Sequence, residues 1–145
     1  MNYYFLKEDL EELDIKISEI RKRIDFYQKE KGLSTTQSSE TWHDNYGFEE
    51  SERQIKRLWG QLQELAEIRG HAEIIDPQRN SNKTDIGKII KIKDLKTGKE
   101  KEILIGSYIV FKNKSAISYN SPLAQILAGA KKGETRDEFQ ILEVN

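Results

Sequence analysis

The chain has 145 residues, 36% hydrophobic and 34% charged, with a formal net charge of −1 and no cysteine. That length suits one domain or two small ones, and the missing cysteines exclude disulfides, thiolate metal sites and cysteine nucleophiles. No apolar run approaches the ~20 residues needed to span a bilayer, and the start, Met1-Asn2-Tyr3-Tyr4-Phe5-Leu6-Lys7, lacks the basic and long apolar regions of a secretion signal; the expectation is a cytoplasmic protein.

The near-neutral total hides an asymmetry. Residues 1–76 carry 11 basic and 17 acidic side chains, whereas residues 77–145 carry 13 and 8. Such a split points to two units with different surfaces.

In the first half, apolar or aromatic residues fall at Leu6, Leu10, Leu13, Ile17, Ile20, Ile24 and Tyr27, in steps of four and three. This is the 3.5-residue repeat of a coiled-coil seam. A second series, Phe48, Ser51, Ile55, Leu58, Leu62 and Leu65, has the same spacing, with Ser51 its weak member. Gly60 lies off the seam and costs about 1 kcal/mol relative to Ala. Trp59 and Ile68 add apolar surface beside the stripe. The polar segment from Lys31 to Gly47, bounded by glycines and rich in Ser and Thr, reads as a loop. The prediction is an antiparallel hairpin of two helices, each about 25 residues and roughly 35–40 Å long. So thin an element carries any chemistry at its tip or along one face.

Pro77 ends the helical pattern after Ile74-Ile75-Asp76, and residues 77–84 form a polar connector. The period then changes to two. Ile90 and Ile92 mark a strand over 88–94, Gly98 suits the following hairpin turn, residues 102–105 return, and Tyr108 to Phe111 suggest another strand. Residues 121–129 read as a short helix: Ser121 caps it, Pro122 suits its first position and Gly129 its stop. Phe139, Ile141 and Val144 form a last strand. The expected organisation is a hairpin over 1–76, a linker over 77–84, and a domain of antiparallel strands with one helix over 85–145.

The stretch from Ile117 to Glu134, which reads ISYNSPLAQILAGAKKGE, resembles the C-terminal domain of the GreA/GreB transcription elongation factors. Their pattern there is I-S-x-x-S-P, a small or apolar pair, a leucine, a glycine, then G-D or G-E. The upstream hairpin and the Ile74-Ile75-Asp76 junction match in order and length, so the resemblance covers nearly the whole chain. It implies an α+β fold: an N-terminal antiparallel coiled-coil hairpin and a small C-terminal FKBP-like β-rich domain. It implies bacterial RNA polymerase as partner. The globular domain grips the rim of the secondary channel, and the coiled coil brings acidic tip residues beside the catalytic Mg²⁺. The polymerase then hydrolyses the 3′ end of backtracked RNA, which rescues stalled elongation complexes. On this resemblance the chain is an accessory factor rather than an enzyme. It has no cofactor of its own, shares Mg²⁺ with the polymerase active site, meets the nascent RNA 3′ end, and has no membrane or small-molecule partner.

The family's tip motif is G-D-L-x-E-N-A-E-Y. Counting back from Asp76 without gaps, Asp44-Asn45 falls on its Glu-Asn, Phe48 on its Tyr and Thr41 on its Asp, with Glu40 adjacent. Asp44 and Glu40 are therefore the candidate catalytic and metal-binding acids, in complex with polymerase only. Mg²⁺ at a shared site takes one or two protein carboxylates, although surface loops are often acidic without function. Thr41 is a departure from the family, as is the short segment after Glu134, where one hairpin is trimmed. Some relatives keep the fold and inhibit transcription, so a channel-binding regulator without cleavage is the second reading. A peptidyl-prolyl isomerase is suggested only by the FKBP-like fold. Against it, Tyr108, Phe111, Tyr119 and Phe139 are the only aromatics of the C-terminal half.

Other candidates carry two readings each. Trp42 stacks on a nucleobase or folds onto Tyr46 or Phe48. His43 is a base or ligand, or neither, and His71 reads as structural. Arg21, Arg23, Arg53 and Arg57, with Lys22 and Lys56, form a basic strip for nucleic acid or pair with acids across the hairpin. Asn120, Ser121 and Pro122 form the polymerase-binding loop, cap the short helix, or both.

Overall fold

The structure, a computed structural model, describes residues 2–37, 46–77, 81–111, 113 and 115–145. It is α+β. In chain order the elements are β1 (Tyr3–Phe5), α1 (Lys7–Gln37), α2 (Tyr46–Gly70), β2 (Ala72–Ile74), β3 (Ile89–Asp94), β4 (Glu100–Gly106), β5 (Ala116–Ser118), α3 (Pro122–Leu127), β6 (Thr135–Arg136) and β7 (Phe139–Val144). Two compact units result: Leu13–His71, and Met1–Glu12 together with Ala72–Asn145. The division falls after Glu12 and after His71.

The first unit is a helical hairpin. Leu13, Ile17, Ile20 and Ile24 of α1 are buried, as are Ser51, Leu58, Leu62 and Ile68 of α2. Fully burying one such leucine contributes about 1.5–3 kcal/mol. Arg69, late in α2, donates to Asp14 at 2.7 Å, and Lys31, late in α1, pairs with Glu52 at 3.2 Å. Late residues of one helix meet early residues of the other, so the pair is antiparallel. Of the two apolar residues beside the stripe, Ile68 is buried, while Trp59 stays 45% exposed.

The hairpin departs from expectation at its ends. α1 does not stop at Lys31 but continues through Gly32 to Gln37, and α2 already includes Tyr46 and Gly47. A tertiary tie accompanies the extension: the Lys31 ammonium also sits 4.9 Å from the Phe48 ring centroid, joining the two helices where sequence reading expected a loop. At the other end α2 stops at Gly70, where the apolar series of the second helix was expected to end, and Ala72–Ile74 form the short strand β2.

In the second unit β1 and β2 pair in parallel, Tyr3 opposite Ala72 and Phe5 opposite Ile74. A five-stranded sheet has the order β5-β4-β3-β7-β6. It is mixed rather than antiparallel throughout, because β5 runs parallel to β4. Ile90, Ile92, Ile103, Ile105 and Ile141 form the buried face of the sheet, against which α3 packs Ala124 and Leu127. The opposite face carries charges in matched register: Lys91 lies across from Glu102 and Glu143, and Lys93 across from Glu100. Gly98 turns the β3–β4 hairpin at φ 73°, and its amide donates to Asp94 O at 2.7 Å.

Tyr108 to Phe111 are not a strand. The edge of β4 is taken by Ala116–Ser118, with Leu104 opposite Ala116. Tyr108 is engaged elsewhere: its amide donates to Tyr4 O at 3.0 Å, and its ring lies 4.5 Å from that of Tyr3.

Candidate functional site

The segment joining α1 to α2 holds both candidate acids. Glu40 and Asp44, with Thr41, Trp42 and His43, lie outside the described residues. The ends that deliver them are described. Lys31 closes the hairpin against Glu52 and Phe48, so the segment springs from two helices already joined by an ion pair and a cation–π contact. Among the described residues, no group of three or more His, Asp or Glu is placed to hold a metal ion.

The four candidate arginines are exposed or border grooves on the hairpin. Arg21 lines a groove of about 290 Å³ with Ile24, Asp25, Gln28, Trp59 and Leu62. Arg53 pairs with Glu50 at 3.4 Å within its own helix. Arg57 donates twice to Gln54, at 3.1 and 2.8 Å. Arg23 is exposed. The antiparallel register sets Arg21 level with Trp59 and Leu62, whereas Arg53 and Arg57 lie closer along α2 to the connecting segment. The arginines are therefore spread along the hairpin.

The loop at Asn120 to Pro122 is built by local chemistry. Ser121 is the N-cap of α3, and its Oγ accepts the Ala124 amide at 3.4 Å; Pro122 follows in the first turn, where its missing N–H has no intrahelical partner to lose. The Ser121 amide donates to Ser118 O at 3.0 Å and the Asn120 amide to Ser118 Oγ at 3.1 Å. Gln125 Nε2 donates to Asn120 O and Oδ1, both at 3.2 Å. Asn120 and Pro122 remain exposed. The loop is thus held by its own hydrogen bonds while presenting two side chains outward.

Directly before it stands Tyr119, whose hydroxyl accepts the Tyr4 amide at 3.1 Å. Its ring lies 6.0 Å from Tyr4 and 6.3 Å from Tyr108. Tyr4, Tyr119, Ile75, Ile86, Ile105 and Ala124 border an apolar groove of about 280 Å³ beside α3. Sequence reasoning missed this tyrosine group. The one available signal was the run Tyr3-Tyr4-Phe5, too aromatic for a disordered start.

The family model described as "Transcription elongation factor, GreA/GreB, C-term" matches residues 79–138. Transcription elongation factor GreA of Thermosipho melanesiensis is 31% identical over 134 residues, covering 90% of this chain and 83% of that protein. The chain belongs to the GreA/GreB family. GreA of Thermosipho africanus is 29% identical over the same shares. The crystal structure of GreA factor homolog 1 of Thermus thermophilus aligns over 100% of this chain and 99% of its own, at TM-score 0.49 and 17% identity.

Within this GreA/GreB member, the family-model match contains Asn120, Ser121 and Pro122 but not the hairpin. Among the described residues no helix is long and apolar enough to cross a membrane.

Proposed function

We propose that this GreA/GreB family member binds RNA polymerase, inserts its hairpin into the secondary channel and stimulates the polymerase's own cleavage of backtracked RNA. The observation that carries the reading is the 31% identity to a transcription elongation factor GreA over 90% of the chain, hairpin included. Asn120, Ser121 and Pro122 serve as the docking loop, since an exposed and internally bonded loop loses little entropy on binding. Arg21, Arg23, Arg53 and Arg57 supply positive charge along the hairpin toward the nascent RNA.

Asp44 and Glu40 approach the polymerase's Mg²⁺. Carboxylate oxygens are the hard donors that Mg²⁺ prefers, so the donor chemistry fits, and the ion supplies activation of water for phosphodiester hydrolysis. Asp44 would offer its carboxylate to the ion, and Glu40, four residues away, would assist it. On this reading the protein alone has no nuclease activity, because the ion that activates water belongs to the polymerase.

The test is the full chain added with Mg²⁺ to stalled, backtracked elongation complexes. Shortened RNA that resumes elongation is the expected result. Tight binding that slows synthesis without cleavage favours the second reading, a channel-binding regulator, which Thr41 at the family's first acidic tip position motivates.

A further inference from the structure

Among the described residues of the β-rich unit, cross-strand charges are matched with one exception. Lys91 and Lys93 stand opposite Glu102, Glu143 and Glu100. Lys83 instead stands opposite Lys131 in an antiparallel bridge. Like charges directly opposite each other are destabilising, and Lys132 adds a third cation beside them. All three are exposed, and none takes part in an ion pair among the described residues.

The backbone beneath them is clamped. The Thr84 amide donates to Ala130 O at 2.8 Å, its Oγ1 donates to the same oxygen at 2.9 Å, and the Gly129 amide donates to Thr84 O at 3.0 Å. Thr84 and Ala130 are buried, at 3% and 0% exposure. Lys83 and Lys131 therefore emerge side by side from a fixed base rather than from mobile chain.

We propose that Lys83, Lys131 and Lys132 anchor a carboxylate-rich protein segment, which on the polymerase reading is carried by RNA polymerase. The partner's acids supply the countercharge that the fold withholds. The patch is short, bounded by Asp85 on one side and by Glu134 on the other, where Glu134 is already held by Arg136 at 3.2 Å. A continuous phosphate backbone calls for a longer basic stripe, whereas a few acidic side chains fit this one. The site rests on the polymerase reading for the partner's name only; its chemistry stands apart.

The experiment measures affinity of the full chain for RNA polymerase over a range of salt, with a polyglutamate peptide and a DNA duplex as competitors. Lys83→Glu with Lys131→Glu should weaken binding about tenfold at low salt and flatten the salt dependence. Polyglutamate should compete with the unmodified chain and the duplex should not. Lys83→Glu alone should raise the melting temperature, by placing Glu opposite Lys131, while still weakening binding. A purely structural role would not produce that opposition. If the double variant melts early, Lys83→Ser with Lys131→Ser takes its place, with a smaller loss of affinity expected. Polymerase binding with unaltered affinity and salt slope in these variants overturns the site and leaves the polymerase reading standing. Lysine-dependent polyglutamate binding without polymerase binding does the reverse. Competition by the duplex instead of polyglutamate overturns the carboxylate assignment in favour of nucleic acid.

Discussion

Ser107, directly after β4, donates its hydroxyl to Asp9 Oδ2 at 2.5 Å while its Oγ accepts the Leu6 amide at 2.7 Å. Leu6 stands just before α1 and has no side-chain oxygen to cap it. In the usual capping box the third helical residue reaches back to the amide of the cap residue. Here Asp9 holds that third position, and a serine 98 residues away in sequence is inserted between the two groups. The start of α1 is thus secured by the sheet unit. Ser107→Ala strips the Leu6 amide and Asp9 of a partner at a fully buried position. It should lower unfolding free energy by about 1–3 kcal/mol, read from the urea midpoint, with Asp9→Asn milder. An unmoved midpoint would refute this account.

Gly87 and Gly98 both have positive φ, 88° and 73°, but differ in surroundings. A Cβ at Gly87 would lie 2.7 Å from Pro77 Cβ and Cγ, while Gly98 has open space. Gly98→Ala should cost about 1 kcal/mol from backbone strain alone. Gly87→Ala should cost about 1–3 kcal/mol more, since Pro77 must move as well. Paired thermal melts separate the two; equal losses would argue against the Pro77 contact.

At the hairpin's connecting segment, Asp44→Asn should abolish stimulated cleavage and leave polymerase affinity nearly intact, because size is kept and the charge is removed. Glu40→Gln should have a smaller effect if Thr41 occupies the first acidic position, and a comparable one if Glu40 substitutes for it. Gel analysis of RNA from stalled complexes, alongside a binding titration, checks both. Full cleavage by Asp44→Asn would remove that residue from the proposal.

Pro122→Asp should weaken polymerase binding without altering the melting curve by more than about 0.5 kcal/mol, since the side chain is exposed. Ser121 keeps its bond to the Ala124 amide in this variant, so α3 retains its cap. Unchanged affinity with unchanged melting would show that the loop serves capping only.

Local chemistry made part of this protein legible from sequence alone. The seam residues Leu13, Ile17, Ile20 and Ile24 repeat at helical spacing, so a buried stripe follows from the chain itself. Ser121, Pro122 and Gly129 bracket α3, and Ile90 with Ile92 alternates as a half-buried strand must. Each of these signals is complete within a few residues. The acids Glu40 and Asp44 were legible only through family resemblance, because acidic loops are common and spacing alone does not single them out.

What only the tertiary structure decided involves partners distant in sequence. β1 and β2 have three residues each, too few to show a period, and each is a strand because the other lies beside it. β5 holds the edge of β4, while Tyr108 bonds to Tyr4 and packs on Tyr3. α1 passes Gly32 with Lys31 tied to Glu52 on the other helix. Lys83 meets Lys131, and Ser107 meets Asp9, only once the chain has folded back. A backbone amide or a charge carries no record in sequence of which remote group will satisfy it, so these pairings emerge from packing and not from pattern.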